Sequence, residues 1–504
     1  MTSEIRAREP GTFGLGCALV LQVCAASCAH GITTSPYDFT AKWTFPRTSA
    51  EGDRLVDGGT FWLPDANTAI WGGTSTGPTG RSGFWMTSGS GPDQSIIRTG
   101  DPVSGFPSGL TFVSSSPARV SRSGDFWWGG RSFSTGVVGR RDSSGLSVLV
   151  QEGQPAPGGL GPLTNLAIML VDANGIGYLS ADVGSAPPQH LTYKVSGGTL
   201  QLMSAQGQSV PGMTGTLGGA GMVRATSDGA VYMAVANNAS PSVPGVAVIP
   251  GGGGSSTLAS AGVIPSLNGY TLEQVSSQGA MALRKVTGAG SGMWVRSSAG
   301  QLTEVMHPGA SVTGQAGWTI STTANPVTAS VSDALQAVVT AEMGPSGNQQ
   351  KTVCITSQTS IIPLVRQGQS LGAGTAFLTA TNPRATDFNA RGQVAIELVS
   401  LVGSTGLPSV VAWDPTVGYL ELAAPGDQLR VDGVLRTVSA AQLASPFGDQ
   451  QGGLRGGLFD DGTLAMQVNF ADGGVAIVSA VIPAPVGVFV LVPLTVFVHR
   501  RRRQ

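Results

Sequence analysis

The side chains that usually carry catalysis are scarce in this sequence. Apart from His30, which directly follows the N-terminal segment, His190 and His307 are the only histidines between the two ends, so Ser-His-Asp triads and His-rich metal sites have very few candidates. His307 falls in a recurring turn and His190 follows Pro187-Pro188; both read as loop residues. Gly73-Thr74-Ser75-Thr76-Gly77 spells the G-x-S-x-G of a nucleophile elbow, but no strand–turn–helix pattern surrounds it, and a chain with 74 Gly yields such a match by chance. A phosphate-cradling G-x-x-x-x-G-K-[ST] loop is missing from a chain with four Lys. Glycoside hydrolysis needs a carboxylate pair, for which Glu273, Glu304, Glu342 and Glu397 are available without any spacing that pairs them. No catalytic residue, metal ligand or cofactor is therefore assigned.

Ligand contact has one better candidate. Most Trp residues (Trp62, Trp71, Trp85, Trp294, Trp318, Trp413) sit in apolar strand-like runs and read as core. Trp127-Trp128 is different, because adjacent strand residues point to opposite faces and one of the two is expected at the surface. There it could stack on a sugar ring or polymer.

The elements that position these residues are repeated ones. A polar pair, a Gly and an alternating apolar strand recur with Gly124, Gly175, Gly229, Gly279, Gly392 and Gly462, and degraded copies occur at Thr68 and Ala334. From 68 to 462, eight copies give a mean spacing of about 56 residues, within the range of solenoids and propellers. A second marker alternates with the first at Gly100-Asp101, Gly153-Gln154, Gly207-Gln208, Gly262, Gly309, Gly368-Gln369 and Gly426-Asp427. Asn-Gly and Asp-Gly steps supply the positive-φ turn of a hairpin, and the alternation after them supplies a strand.

Each period holds four short strands, the grammar of a propeller blade. The expected fold is all-β, a β-propeller of four-stranded antiparallel blades. Residues 36–481 accommodate about eight units, and seven would also fit. Small sandwiches want about 100 residues each, twice the period, and solenoid coils are shorter. Closure would pair the N-terminal strand Tyr37–Phe45 with strands of the last blade, including 474–481. Low charge (11%) suits strands covered on both faces, which leave charged residues only the loops. A net charge of −1 gives no electrostatic reason to expect nucleic acid.

The ends read as addresses. Arg6 and Arg8 precede an apolar run from Phe13 to Cys28 and the small-residue step Ser27-Cys28-Ala29, giving a signal peptide, 1–29, cleaved after Ala29. Lipidation at Cys28 is the alternative. Only Cys354 then remains in the ring, 30–481, so no internal disulfide or thiolate metal cage can form. The segment 482–504 runs from Pro483-Ala484-Pro485 through the apolar Val486–Val498 to Arg500, Arg501, Arg502 and Arg503. Thirteen apolar residues interrupted by Pro493 fall short of the ~20 of a comfortable span, and the Arg cluster holds the end on the cytoplasmic side.

This tail resembles the PEP-CTERM sorting signals of exported bacterial proteins, in a Pro-Ala-Pro variant. The resemblance implies processing by exosortase, a transpeptidase-like membrane enzyme. The middle resembles exported bacterial proteins with tandem NxxGxxAF repeats and variable C-terminal anchors: Asn389-Ala390-Arg391-Gly392-Gln393-Val394-Ala395-Ile396 matches with Ile for Phe, and Gln151 to Gly158 is similar to the element between repeats. It implies export and anchoring, with no biochemical activity attached. The expectation is an exported, cell-surface propeller acting as a binding or structural module. Its expected partners are the export and sorting machinery, the membrane through the tail, and an extracellular polysaccharide or surface protein. The alternative is a polysaccharide-active enzyme using acidic residues at the propeller channel.

Overall fold

The computed structural model describes residues 34–45, 47–48, 50, 54–55, 61–65, 67–76, 80–88, 91–103, 118–121, 124–132, 135–142, 145–172, 174–184, 187–226, 228–250, 257–276, 278–285, 292–322, 326–378, 385–444 and 457–482. Its strands form eight sheets that follow one another along the chain: blade 1 within residues 47–98, blade 2 within 118–151, blade 3 within 163–205, blade 4 within 217–249, blade 5 within 270–306, blade 6 within 318–366, blade 7 within 370–423, and blade 8 within 428–481 together with the N-terminal strand 34–45. Blade 3 shows the regular pattern, with strands Leu163–Val171, Gly177–Val183, Gln189–Ser196 and Thr199–Ala205 paired in that order, all antiparallel. First strands of neighbouring blades lie against each other, which makes them the inner ring, with the fourth strand outermost.

Eight buried apolar clusters show that the ring is closed. Each lies between two consecutive blades, the last between blade 8 and blade 1. A sheet covered on both faces needs apolar residues at successive positions rather than alternate ones. Gly177–Val183 accordingly has six of its seven residues buried. The chain is an eight-bladed β-propeller.

The two sequence markers have two separate jobs. The first marker is the hairpin between first and second strands. In blade 3 Gly175 N–H donates to Asp172 O at 3.1 Å, and Asp172 N–H to Ile176 O at 2.9 Å. The polar first residue caps the turn: Asp172 Oδ1 accepts from Ile176 N–H, as Ser276 Oγ does from Ala280 and Asn389 Oδ1 from Gln393. Gly124, Gly175, Gly229, Gly279, Gly392 and Gly462 all have positive φ, between 74° and 90°. In blade 6 the positive-φ position is Leu335 (φ 60°), whose N–H donates to Ser332 O, so the degraded copy is one residue later than the expected Ala334.

The second marker joins blades. Gly207 N–H donates to Leu217 O and Leu217 N–H to Gln208 O, which ties the end of one blade to the first strand of the next; Gly153, Gly309, Gly368 and Gly426 repeat the bond. Asp and Gln are interchangeable after these glycines because either side chain reaches back to the amide three residues earlier. Asp101 accepts from Arg98 N–H, Gln154 from Gln151, Gln208 from Ala205, Gln369 from Arg366 and Asp427 from Ala424. Sequence reading missed a third position, an apolar anchor three residues after the Gly: Val103, Ala156, Val210, Val312, Leu371 and Leu429 are all at most 4% exposed.

Five blades depart from the simple four-stranded expectation. In blades 1, 6 and 7 two segments pair with the same second strand in place of one inner strand: Arg54–Leu55 and Phe61–Asp65, Trp318–Ile320 and Val327–Val331, and Gly374–Phe377 and Ala385–Phe388. Blades 4 and 8 depart further. Blade 4 has three strands among the described residues, Leu217–Ala225, Val231–Asn237 and Pro244–Ile249; the short helix Leu258–Ala261 and a single bridge from Ala247 to Val263 replace the fourth. Blade 8 is a closed five-stranded barrel made of Thr34–Phe45, Gln428–Val431, Val434–Leu443, Thr463–Phe470 and Val475–Val481. Closure pairs the N-terminal strand with the C-terminal one as expected, from Thr40 opposite Ser479 to Phe45 opposite Val475. The same N-terminal strand pairs in parallel with Gln428–Val431, which the sequence did not suggest.

Candidate functional site

The expectation for Trp127-Trp128 is corrected by the fold. Trp127 is 1% exposed and Trp128 0%. They do point to opposite faces, but both faces are covered: Trp127 enters the seam with blade 3 and Trp128 the seam with blade 1. Neither ring is available to stack on a ligand. Glycines make room for them, since a methyl at Gly177 would overlap the Trp127 indole and one at Gly139 the Trp128 indole. Ser75 of the G-x-S-x-G match lies within the strand Thr68–Thr76, 1% exposed, and accepts from Arg81 N–H at 3.1 Å, so it is a strand residue and not a nucleophile. The repeat-turn glycines serve the backbone. Pro483, Pro485, Arg500 to Arg503 and Ala29 lie outside the described residues.

The polar group that stands out is one the sequence reading assigned to a loop. His190 opens the third strand of blade 3, directly opposite Asp182 near the end of the second. Its Nδ1 is hydrogen-bonded to Asp182 Oδ1, and the histidine side chain is 64% exposed. Asp182 itself is buried, and its Oδ2 accepts from Asn165 Nδ2 at 2.8 Å. Asn165 sits at a bulge in the inner strand, between Thr164 and Ala167, with φ 51°. Asn tolerates that left-handed conformation better than most residues, yet strain there is of order 1 kcal/mol and calls for support from outside the residue. Glu152 of blade 2 provides it: Oε1 accepts from Asn165 N–H at 2.9 Å and Oε2 from Gly136 N–H at 2.7 Å. A side chain at Gly136 would run into the Glu152 carboxylate.

The result is a relay across the seam of blades 2 and 3, from Gly136 through Glu152, Asn165 and Asp182 to an exposed imidazole. It lies on the face formed by the blade-to-blade connections and the loops between second and third strands, because antiparallel strands bring those ends together. With Nδ1 held by a carboxylate, Nε2 is the nitrogen left to exchange a proton or accept a hydrogen bond. An oriented imidazole of this kind is the group used in general acid–base catalysis, typically worth 10²–10⁴-fold. The signal in the sequence was faint. Asp182 and His190 flank Gly184 and Pro187-Pro188, and only hairpin register makes them neighbours.

Other carboxylates serve the fold. Burial pushes Glu273 above the ordinary carboxylate range, against the opposing pull of Arg284, whose Nε donates to it at 2.9 Å. Burial likewise raises Asp172, which caps the blade 3 turn. At Asp414 burial is outweighed by hydrogen bonds from Thr416, Gln393 and Val417, so its carboxyl lies below its usual value. Among the described residues no three His, Cys, Asp or Glu side chains gather as a metal site, and no helix is long and apolar enough to cross a membrane.

Residues 212–489, more than half of the chain, match a family described as being of unknown function, DUF7453. The chain belongs to that family. No curated protein matches it. Among solved structures it is similar to the β-propeller domain of the Trilobed protease from Pyrococcus furiosus (7% identity, TM-score 0.38, covering 73% of this chain and 99% of that one). Polysaccharide lyase Uly1 is similar at 9% identity and TM-score 0.35, covering 79% and 95%. Puromycin hydrolase is similar at 12% and 0.38, covering 78% of this chain and 57% of that one. These likenesses are loose, and the propeller assignment rests on the chain's own sheets and seams.

Proposed function

We propose that this protein is an exported cell-surface propeller that acts as a binding module, tethered by its C-terminal segment before that segment is processed. The observation that carries the reading is how the repeat uses its polar residues. Asp101, Gln154, Gln208, Gln369 and Asp427 hold blade connections, and Asp172, Ser276 and Asn389 cap turns. The repeat is thereby a scaffold, and ligand contact falls to features that break it. The Asp182–His190 relay is such a feature, and its exposed imidazole and amide suit hydrogen bonds to hydroxyl-rich polymers.

The test is a glycan and polymer binding screen on the purified protein, with His190→Ala and Asn165→Ala in parallel. Binding to at least one polymer, lost in both variants, is the expected result. No binding across the screen, or binding indifferent to both variants, removes this reading of the site.

A second reading, a polysaccharide-active enzyme, draws on one specific observation: an Asp-oriented imidazole shares a network with a second carboxylate, Glu152. It requires polymer cleavage that falls at least about 100-fold in His190→Ala. An unchanged rate in that variant, or no cleavage by the parent protein, rejects it.

A further inference from the structure

The three most exposed large apolar side chains among the described residues all lie on blade 8: Val434 at 60%, Val481 at 58% and Leu435 at 48%. Val434 and Leu435 follow the turn Asp432-Gly433 of the hairpin formed by Gln428–Val431 with Val434–Leu443, which is longer than the corresponding Ser370–Leu371 hairpin of blade 7. Val481 ends the last strand.

The barrel register brings these residues close to one another on either side of the N-terminal strand, the hairpin strand running parallel to it and the last strand antiparallel. The N-terminal strand has Val431 opposite Phe39 on one edge and Ser479 opposite Thr40 on the other. Asp432 N–H donates to Phe39 O, and Ala41 N–H donates to Asp432 Oδ1. Hairpin tip and chain exit therefore flank the same few residues of one strand, about 10 Å apart at the strand spacing. Exposed Lys42 and Arg430 lie on the same strands.

The chain outside the structure says what lies beyond this end. After Ile482 only Pro483, Ala484 and Pro485 precede the apolar Val486–Val498, a reach of at most about 14 Å. Where that stretch enters a bilayer, blade 8 is held at the bilayer surface. Apolar side chains flanked by basic ones are the composition that settles at the headgroup boundary.

We propose that the Asp432–Leu435 tip of blade 8, with Val481, docks on the lipid surface in which the C-terminal stretch is embedded, so that the anchored propeller stands in a fixed orientation. This rests on the tail-anchored reading above.

The test uses the chain from His30 to Gln504, without the N-terminal apolar segment that could insert by itself, reconstituted with phosphatidylethanolamine–phosphatidylglycerol vesicles carrying a nitroxide lipid. One variant carries an environment-sensitive fluorophore at Leu435→Cys and the other at Val243→Cys, an exposed apolar site on blade 4. Cys354 is fully buried and does not compete for label. The expected result is co-flotation of both variants, with the fluorophore at 435 quenched at least about twofold more than that at 243, as headgroup-depth insertion requires. Co-flotation with equal quenching overturns the docking and leaves the tether standing. Failure to co-float overturns the tether and the docking together.

Discussion

The seams of the first three blades and those of the last three hold the same architecture by different chemistry. Around blades 1 and 2 the cores are aromatic: Trp43, Trp62, Trp71, Trp85, Trp127 and Trp128 are all at most 5% exposed, with Trp71 and Trp85 stacked at 5.2 Å. The seams between blades 5 and 8 are built mainly from Val, Ala, Leu, Ile and Met, with Trp413 and Phe470 as the buried large aromatics of blades 7 and 8 besides Phe39 of the closure strand. Two of these Trp residues of blades 1 and 2 rest on glycines: Gly177 of the facing blade leaves room for Trp127, and Gly139, opposite Trp128 in the same sheet, leaves room for that indole. Branched aliphatics fill the gap between two sheets by interdigitation and need no such partner. The ring thus tolerates either filling, but in the aromatic one Trp127 and Trp128 are each tied to a particular glycine.

The comparison can be broken by mutation. The largest effect is expected for Trp128→Ala, a loss of roughly 3–5 kcal/mol of stability, read as a fall in the unfolding midpoint in denaturant. Gly139→Ala should lose about 1–3 kcal/mol by overpacking. Combined with Trp128→Ala it should cost less than the sum of the two, because the indole clash is gone and only the added methyl's 2.8 Å approach to Ser147 O remains, a non-additivity that a double-mutant cycle detects. Additive losses would show that Gly139 is not there for the indole.

Ile396→Val, in the aliphatic seam of blades 6 and 7, should lose only about 0.5–1.5 kcal/mol. Gly124→Ala separates the two uses of glycine. Nothing lies within 4 Å of the added methyl, so its loss of about 1–2 kcal/mol comes from φ 83° alone.

The smallest effect depends on pH. Asp414, with a folded-state pKa below its unfolded one, stabilises the protein above the ordinary aspartate value of about 3.9 and loses that contribution as pH falls through the depressed value. The gap in melting temperature between the parent and Asp414→Asn should therefore narrow as pH is lowered past 4. A gap that stays constant with pH would show that the carboxylate charge is not what Gln393 and Thr416 stabilise.

Much of the fold was legible in the chain because its signals are local. Hairpin turns repeat their polar residue and glycine whatever blade they are in, so Gly175 and Gly392 announce the same bend. Where the repeat decayed, the register slipped by one, and the left-handed residue is Leu335 rather than Ala334. The barrel of blade 8 was illegible because its extra pairing is parallel and no turn marker announces it; it arises where ring closure lays the N-terminal strand beside Gln428–Val431. The candidate site was hidden for a related reason: Glu152, Asn165, Asp182 and His190 come from two blades, and no spacing rule relates them.

Alternation in the sequence determined that these segments are strands, and the spacing of two turn types determined that they come in repeating units joined end to end. Burial of a strand on one face or on both was decided only in three dimensions, because it depends on the neighbouring sheet. Trp127 and Trp128 became core residues by that rule. By the converse one, His190, which read as an ordinary loop residue, became an oriented imidazole once hairpin register set it opposite a buried carboxylate.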